Sequence, residues 1–296
     1  MRQAYLLMHL AILLWGLTGI LGKVITLSEE LIVWYRMLFT ALSLAILLLW
    51  NKNFLLPKPA DLARISFIGV LISLHWVTFY AAIKASNVSV SLSCFSSLAL
   101  FTSLIEPFYE KRKPHLSEVL LGIFVIAGIS IIFSVQQFYA KGIILALISA
   151  FLAAWFTVLN KREAKRFDAS FITFYEMLTG LIFLTALLPF YFSYTGRSFE
   201  IPGLSDTLYL LILSILCTTV AFTISMQALK KINAFTMNLS VNLEPVYSII
   251  LAIIIFNEDE MLNPGFYAGT LIILISVAFH SAMQYRHNRQ KVDNYK

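Results

Sequence analysis

Charged residues are scarce in this sequence. Of its 296 residues, 13% are Asp, Glu, Lys or Arg, whereas 59% are hydrophobic, and the mean hydropathy is +0.81. Soluble domains carry roughly 25% charged residues, so a soluble enzyme scaffold is not expected. The composition predicts an integral membrane protein.

Cysteines and catalytic motifs are also scarce. The two cysteines, Cys94 and Cys217, lie in apolar runs, which excludes a disulfide framework or a zinc motif. The sequence has no HExxH motif, no phosphate-binding glycine loop and no GxSxG motif. Its predicted loops are too short to build an active site. We therefore expect no catalysis, no cofactor and no metal site.

Long apolar runs make up most of the chain. About 20 apolar residues in a helix cross a bilayer core of about 30 Å, and only a helix satisfies its own backbone in hydrocarbon. The sequence therefore predicts an all-α integral membrane protein with ten transmembrane helices. They are expected at 4–26, 31–50, 65–84, 88–109, 117–134, 142–160, 170–192, 207–229, 234–256 and 265–283.

The distribution of Lys and Arg predicts the orientation of these helices. Seventeen of these residues lie in segments on the side of the N-terminus, and only Lys84, Lys141 and Arg197 lie on the opposite side. The positive-inside rule predicts that both termini are cytoplasmic, in a plasma or inner membrane. It also explains the net charge of +6 without nucleic-acid binding.

The second half of the sequence repeats features of the first. At a shift of 140 residues Trp15 matches Trp155, and at a shift of 146 Ala82-Ile83-Lys84 matches Ala228-Leu229-Lys230. Matching loops carry opposite charge, which is expected when two copies of five helices lie in opposite orientations. We predict two inverted five-helix repeats around a central cavity. Their bounds are 1–137 and 138–284, followed by a basic cytoplasmic tail at 285–296.

An inverted repeat is typical of carriers. Two homologous halves of opposite orientation can exchange conformations, which gives an inward-open and an outward-open state around one site near the membrane midplane. Inverted repeats also build channels, so a passive channel remains an alternative.

Several motifs resemble those of one family over nearly the whole chain. They are Leu14-Trp15-Gly16 with Gly22-Lys23, Thr173-Phe174-Tyr175 through Gly180, and Leu243-Glu244-Pro245-Val246. In this order the chain resembles the ten-helix EamA-type members of the drug/metabolite transporter superfamily. It departs from that pattern at Leu98-Ala99, where the family usually has a Pro-containing pair. The resemblance implies a central cavity and carriage of small metabolites, often amino acids or related compounds, commonly outward.

The ninth predicted helix carries the first candidate site residues. Glu244 lies near the midplane, where an ionised carboxylate costs about 3 kcal/mol or more. It is either a proton-coupling site and partner for a substrate amine, or a carboxyl that holds the bundle together. Pro245 frees a backbone acceptor and allows the helix to flex. Asn238 and Asn242 share one helix face, either as cavity donors or as interhelical hydrogen bonds.

A second group of candidates lies on the first and third predicted helices. His75 lies near the midplane, and a neutral histidine bonded within the bundle is one interpretation. In the other, His75 and Tyr80 line an amphipathic cavity with Trp15 from the first helix. These three residues, with Asn238, Asn242 and Glu244, are the candidate substrate-binding residues.

Two further charges are candidates for coupling or gating. Arg36 and Glu176 are equivalent in the repeats but are separated by roughly 12 Å of membrane depth, so no direct ion pair is expected. We expect Arg36 to snorkel outward or to bind helix-end carbonyls, and alternatively to hold a carboxylate in the outer vestibule. Glu106, close to Lys111 and Arg112, is expected to be solvated or in a gate-type ion pair. The coupling or gating candidates are thus Glu244, Pro245, Glu106 and Arg36.

The leading hypothesis is a secondary carrier for a small organic metabolite, either an amino-acid-like compound or a drug-like solute, that works by alternating access as an exporter. The alternatives are a passive channel, a carrier of nucleotide- or sugar-type metabolites, and an intramembrane scaffold or enzyme subunit. Expected partners are the substrate, membrane lipid and protons as coupling ion. A monomer or weak homodimer is expected.

Overall fold

A computed structural model of the chain describes residues 2–52, 56–111, 139–241, 243–256 and 263–293, together with eight single residues between 113 and 134. Within these residues every regular element is a helix. The helices are α1 Arg2–Trp15, α2 Thr18–Val24, α3 Glu29–Trp50, α4 Pro59–Ala85, α5 Val88–Phe95, α6 Leu98–Glu110, α7 Ala140–Glu163, α8 Ala169–Thr195, α9 Leu204–Ser214, α10 Ala221–Leu229, α11 Ala234–Val241, α12 Glu244–Phe256 and α13 Pro264–Asp293. A π-helical turn, Ile215–Val220, joins α9 to α10.

Seven stretches of the described residues are long and apolar enough to cross a membrane. They are Gln3–Val24, Glu29–Trp50, Pro59–Ala85, Val88–Glu110, Ala140–Glu163, Ala169–Thr195 and Leu204–Leu229. Each coincides with one of the predicted spans, which confirms the all-helical, multi-pass membrane architecture.

The other three predicted spans differ in how far they are described. The span at 117–134 lies largely outside the described residues, and the span at 234–256 is described as the two shorter helices α11 and α12. The span at 265–283 lies within α13, whose apolar part is the shorter stretch Pro264–Ser276. The count of ten and the orientation of the termini stay predictions.

Two of the membrane-length stretches are interrupted near their middle by tightened turns. Between α1 and α2, the amide of Leu17 donates to the Leu14 carbonyl three residues back, at 3.3 Å. Between α5 and α6, Ser97 donates in the same way to Cys94 at 3.1 Å. Such 3₁₀-type turns reorient the following helix. They therefore place helix termini in the middle of the bundle.

The bounds of α5 and α6 recur in α11 and α12. Adding 146 to Val88–Phe95 and Leu98–Glu110 gives the bounds of α11 and of α12. The residues before the two pairs also match, because Asn87 Oδ1 accepts from the Val90 amide at 2.8 Å and Asn233 Oδ1 from the Thr236 amide at 2.6 Å. The same shift relates Ala82-Ile83-Lys84 to Ala228-Leu229-Lys230, so local structure and sequence repeat in the same register in this part of the two halves.

Helices α4 and α8 approach closely because two glycines lie at their crossing. A Cβ on Gly69 would lie 2.4 Å from the Glu176 carbonyl oxygen, and one on Gly180 would lie 2.8 Å from the Gly69 carbonyl oxygen. Only glycine fits at such backbone contacts. Helix α4 also packs along α7, so it lies at the centre of the bundle.

Ion pairs link residues of 1–137 to residues of 138–284 at one end of the bundle, here called the Asp61 end. Arg166 Nη2 lies 2.8 Å from Asp61 and Arg166 Nη1 lies 3.0 Å from Glu163. Arg64 also binds Asp61, and its Nε lies 3.1 Å from Glu163. The hydrogen bond to Asp61 raises the pKa of the Arg166 guanidinium, so Arg166 stays positively charged in this network.

Polar contacts join the same two segments at the other end, here called the Glu30 end. Arg197 Nη1 lies 3.0 Å from Glu30. Thr26 donates its amide and its hydroxyl to Asp206, at 3.1 and 2.6 Å. Lys84, at the last turn of α4, donates to the Leu27 carbonyl. Ion pairs and hydrogen bonds therefore join the two segments at both ends of the bundle in this conformation.

Candidate functional site

A cavity lies inside the bundle, between its middle and the Asp61 end. Its volume is about 70 Å³, whereas pockets that hold drug-sized ligands measure about 300–1,000 Å³. Its aromatic lining is Trp15, Trp76, Phe79, Phe95, Phe156 and Phe222, and its polar lining is Thr18, Arg36, His75, Thr157, Asn160, Ser225, Asn238 and Glu244. The cavity thus combines six aromatic with eight polar side chains, and it is too small for a drug-sized ligand in this conformation.

Glu244 lines the cavity as the first residue of α12. Its side chain is buried, and the Thr18 hydroxyl lies 3.5 Å from its Oε1. The partial positive charge of a helix N-terminus stabilises a carboxylate there. Pro245 occupies the second position of α12, where its missing N–H removes no intrahelical bond. The helix start therefore explains how a carboxyl is tolerated at this depth.

Arg36 also lines the cavity, and the expectation that it snorkels outward is wrong. Its side chain is 2% exposed, and the guanidinium lies 3.8 Å from the centre of the Trp76 ring. Nη1 donates to the Tyr80 hydroxyl at 2.8 Å, and Nε donates to Thr218 Oγ1 at 2.7 Å. Thr218 belongs to the π-helical turn, which also brings the Cys217 carbonyl to 3.5 Å from Nη2. These contacts replace water around the guanidinium.

Arg36 and Glu176 do not pair, as expected. The described donors of Arg36 bind α4 and the π-helical turn. Both carboxyl oxygens of Glu176 are buried without a hydrogen-bond partner.

His75 fits both interpretations of its sequence position, because it is bonded within the bundle and also lines the cavity. Its Nδ1 lies 2.8 Å from Ser149 Oγ and 3.0 Å from the Ser149 carbonyl, so the ring is bonded within the bundle. The same ring stacks on Phe95 and lines the cavity. Tyr80 was expected in the lining but is fully buried behind it. Its hydroxyl instead accepts from Arg36, because α4 turns the Tyr80 side chain toward α3.

Of the two candidate asparagines in the ninth predicted span, the structure describes only Asn238. Asn238 lines the cavity, and its Nδ2 donates to Thr102 Oγ1 of α6 at 2.9 Å. It is therefore both a cavity residue and an interhelical contact. Asn242 lies outside the described residues.

Glu106 lies in an ion pair, one of the two predicted alternatives, but it is buried, so the alternative of a solvated carboxylate is wrong, and its partner is Lys161. The residue is 1% exposed, and Lys161 Nζ lies 2.8 Å from its Oε1. Its two oxygens also accept from the backbone amides of Ala234 and Phe235, each at 3.2 Å. These are the first amides of α11, where a carboxylate is favourable. Arg112 lies outside the described residues.

Sequence reasoning missed four polar residues of the lining. They are Thr18, Thr157, Asn160 and Ser225. Thr18, Thr157 and Ser225 are small hydroxyl residues inside apolar runs, where most such residues bond their own helix and give no signal. Asn160 is the last residue of the predicted span 142–160, directly before Lys161, and such an end position gives no signal for a cavity.

The apolar spans and the internal cavity define a multi-pass membrane protein with the architecture of a transporter. The model of the EamA-like transporter family matches residues 2–134 and again 140–282. The chain belongs to this family, which confirms the resemblance seen in the sequence motifs.

Related proteins agree with this assignment. The chain is 25% identical to an uncharacterized transporter of Archaeoglobus fulgidus, over 96% of this chain and 99% of that protein. It is 24% identical to an uncharacterized transporter of Clostridium kluyveri, over 99% and 96% of the two chains. A crystal structure with 18% identity has a TM-score of 0.68, over 96% of this chain and 98% of that chain, and shows the same fold.

Proposed function

We propose that the protein is a secondary carrier that moves a small organic metabolite across the cell membrane by alternating access. It is built from two inverted repeats, 1–137 and 138–284. The recurrence of the bounds of α5 and α6 in α11 and α12 at a shift of 146 supports this division. So does the family model, which matches the chain twice.

The Asp61 end faces the cytoplasm in this proposal. Most Lys and Arg residues outside the apolar spans belong to segments at that end, and positive loops stay on the cytoplasmic side. The cavity lies between the bundle's middle and this end. Transport outward would therefore begin with entry of the substrate from the cytoplasm.

One observation carries the proposal. A single cavity holds a cation, Arg36, and a carboxyl, Glu244, among six aromatic side chains. Trp15 Nε1 also lines it without a hydrogen-bond partner and is available as a donor. This chemistry fits a solute with a carboxylate, an amine and an apolar body, such as an amino-acid-like compound.

The ion pairs and hydrogen bonds that join the two segments at both ends of the bundle support alternating access. A pore that conducts passively is open at both ends at once, whereas a carrier passes through states closed at one or both ends. Here the Asp61 end is linked through Arg166 and Glu106, and the Glu30 end through Arg197 and Asp206. The contracted cavity between them must widen to accept a metabolite.

Transport itself is tested in two steps. Metabolites retained and released by cells with and without the protein are compared first, which identifies candidate substrates. The purified full chain is then reconstituted in liposomes, and saturation and counterflow of each candidate are measured. We expect uptake to saturate and counterflow to appear. Linear uptake without counterflow contradicts the carrier and indicates a channel, and counterflow of a nucleotide or sugar would contradict the amino-acid-like substrate.

Proton coupling through Glu244 is part of this proposal. Glu244→Gln keeps the size and an acceptor oxygen but cannot release a proton. We expect this variant to lose accumulation driven by a pH gradient, while counterflow continues at a reduced rate. Accumulation that matches the wild type would contradict the role of Glu244.

A further inference from the structure

A second carboxyl lies directly behind the cavity wall. Glu176, on α8, is 0% exposed, and neither of its carboxyl oxygens has a hydrogen-bond partner. The neighbouring polar side chain is Asn160 of α7. Asn160 Oδ1 is also buried without a partner, and Asn160 lines the cavity.

One proton satisfies both groups. An ionised carboxylate only accepts hydrogen bonds, and neither Glu176 oxygen has a donor in hydrogen-bond geometry, the Asn160 side-chain amide included. The charged form would therefore be buried without compensation, at a large cost in free energy. A neutral carboxyl has an O–H that can donate to Asn160 Oδ1. A fully buried carboxyl whose two oxygens have no hydrogen-bond partner therefore favours its neutral, protonated form.

The charged groups around α8 do not supply an alternative donor. Helices α3, α4 and α10 pack against α8, and α7 contributes Asn160 and the nearby carboxylate of Glu163. Glu163 is paired with Arg64 and Arg166, and its negative charge disfavours a second carboxylate. Helix α10, Ala221–Leu229, has no titratable side chain.

The titratable groups of α3 and α4 are engaged elsewhere. Those of α3 are Arg36, bound to Tyr80 and Thr218; Tyr35, bound to the Glu200 carbonyl; and Glu29 and Glu30, bound to Arg197. Those of α4 are Asp61 and Arg64, in their ion pairs; His75, bound to Ser149; Tyr80, bound to Arg36; and Lys84, bound to the Leu27 carbonyl. Each of these groups is thus bound to a partner other than Glu176.

We propose that Glu176 is a second proton-carrying residue of the transport cycle, additional to Glu244. It holds its proton in the conformation described here, with its O–H donating to Asn160. When the cavity widens, water reaches Asn160 and solvates the carboxyl, and the proton passes from the Glu176 oxygen to that water as hydronium. The return of the contracted state takes a proton up again. This inference rests on the proposed carrier function.

The position of Glu176 in the repeat agrees with this role. At a shift of 140 its counterpart is Arg36, which carries a fixed positive charge on the cavity wall. One repeat thus places a permanent cation at this position, and the other places a group that can be neutral or anionic. Of these two equivalent positions, the charge therefore changes only at Glu176, in addition to the change at Glu244.

The first test is infrared spectroscopy of the purified full chain in lipid, which reports the C=O stretch of protonated carboxyls. We expect Glu176→Gln to lose intensity in this band at neutral pH. Asn160→Ala, which keeps Glu176, should shift the band because the acceptor is lost. The matched control is Glu110→Gln, whose side chain is 40% exposed and pairs with Lys161, and it should leave the band unchanged. A band that Glu176→Gln leaves intact overturns the proposal.

The second test is the pH dependence of counterflow with equal pH on both faces of the liposome. We expect the wild type to show the titration of Glu176, Glu244→Gln to retain it, and Glu176→Gln to lose it. A Glu176→Gln profile that matches the wild type overturns the transport role of Glu176. Absence of counterflow by the wild type overturns the carrier proposal instead, and the infrared result separates that failure from a failure of Glu176.

Discussion

Removing the charge of Glu106 should favour opening of the bundle at the Asp61 end. Glu106 lies on α6, and its carboxylate joins Lys161 of α7 to the first amides of α11. Asn160, which lines the cavity, directly precedes Lys161. In the proposed cycle, widening the cavity at this end would separate α6 from α7 and α11, and this carboxylate would oppose that separation.

The magnitude follows from burial. Breaking a buried ion pair by removing one partner costs about 3–5 kcal/mol, and Glu106 is 1% exposed. The amide oxygen of Glu106→Gln can still accept from the Ala234 amide, so part of the interaction survives. A loss of about 1.4–2.8 kcal/mol in the closed state raises the open population by about 10- to 100-fold. The more exposed Glu110 also binds Lys161, at 2.5 Å, but such a pair is worth about 0–1 kcal/mol.

Thiol labelling measures this population. Ser225 lines the cavity and is buried, so Ser225→Cys reports access once Cys94 and Cys217 are replaced by alanine. We expect a membrane-impermeant reagent, added on the side of the Asp61 end, to label this cysteine at least about tenfold faster in Glu106→Gln. Glu110→Gln should change the rate by less than about fivefold. Equal rates in the two variants, with intact folding, would refute this reasoning.

Two other substitutions test the site and the packing. Arg36→Lys loses the planar fork and the stacking on Trp76, and we expect the KM for counterflow to rise about tenfold with the fold retained; an unchanged KM would contradict a role in binding. Gly69→Ala should destabilise the protein by about 1–3 kcal/mol in thermal unfolding, because its Cβ would lie 2.4 Å from the Glu176 carbonyl oxygen. Gly203→Ala, with nothing within 4 Å of the new Cβ, is the control, and equal losses of stability would contradict the close crossing.

Hydropathy predicted the described membrane spans because their length and apolar character depend on the bilayer alone. The interruptions within them were not predicted. Gly16 and Leu17 break the first span where a Cβ on Gly16 would lie 3.2 Å from the Tyr247 side chain, and Ser248 donates to the Gly16 carbonyl at 2.6 Å. Such a break depends on tertiary contacts with α12, more than 200 residues away, which local sequence does not encode.

Part of the candidate site was predictable for a similar reason. A carboxylate or imidazole in an apolar run is costly, so Glu244 and His75 stand out in the sequence, and both line the cavity. The partners of Arg36 were not predictable, because the π-helical turn at Ile215–Val220 rotates Thr218 toward it. Periodicity of an ordinary α-helix places that hydroxyl on a different face.

The Glu106 contact has no counterpart in the second repeat, and this asymmetry affects the free energies of the two open states in the proposed cycle. Helix α6 packs on α11, and α12 packs on α5 in the matching way. The residue equivalent to Glu106 at a shift of 146 is Ala252, which has no carboxylate to bind the start of α5. In the proposed cycle, two inverted repeats with matching backbones would therefore not give two open states of equal free energy. Glu106 would stabilise closure at the Asp61 end together with the ion pairs of Asp61 and Glu163, and a gradient or substrate that drives transport would act against these contacts.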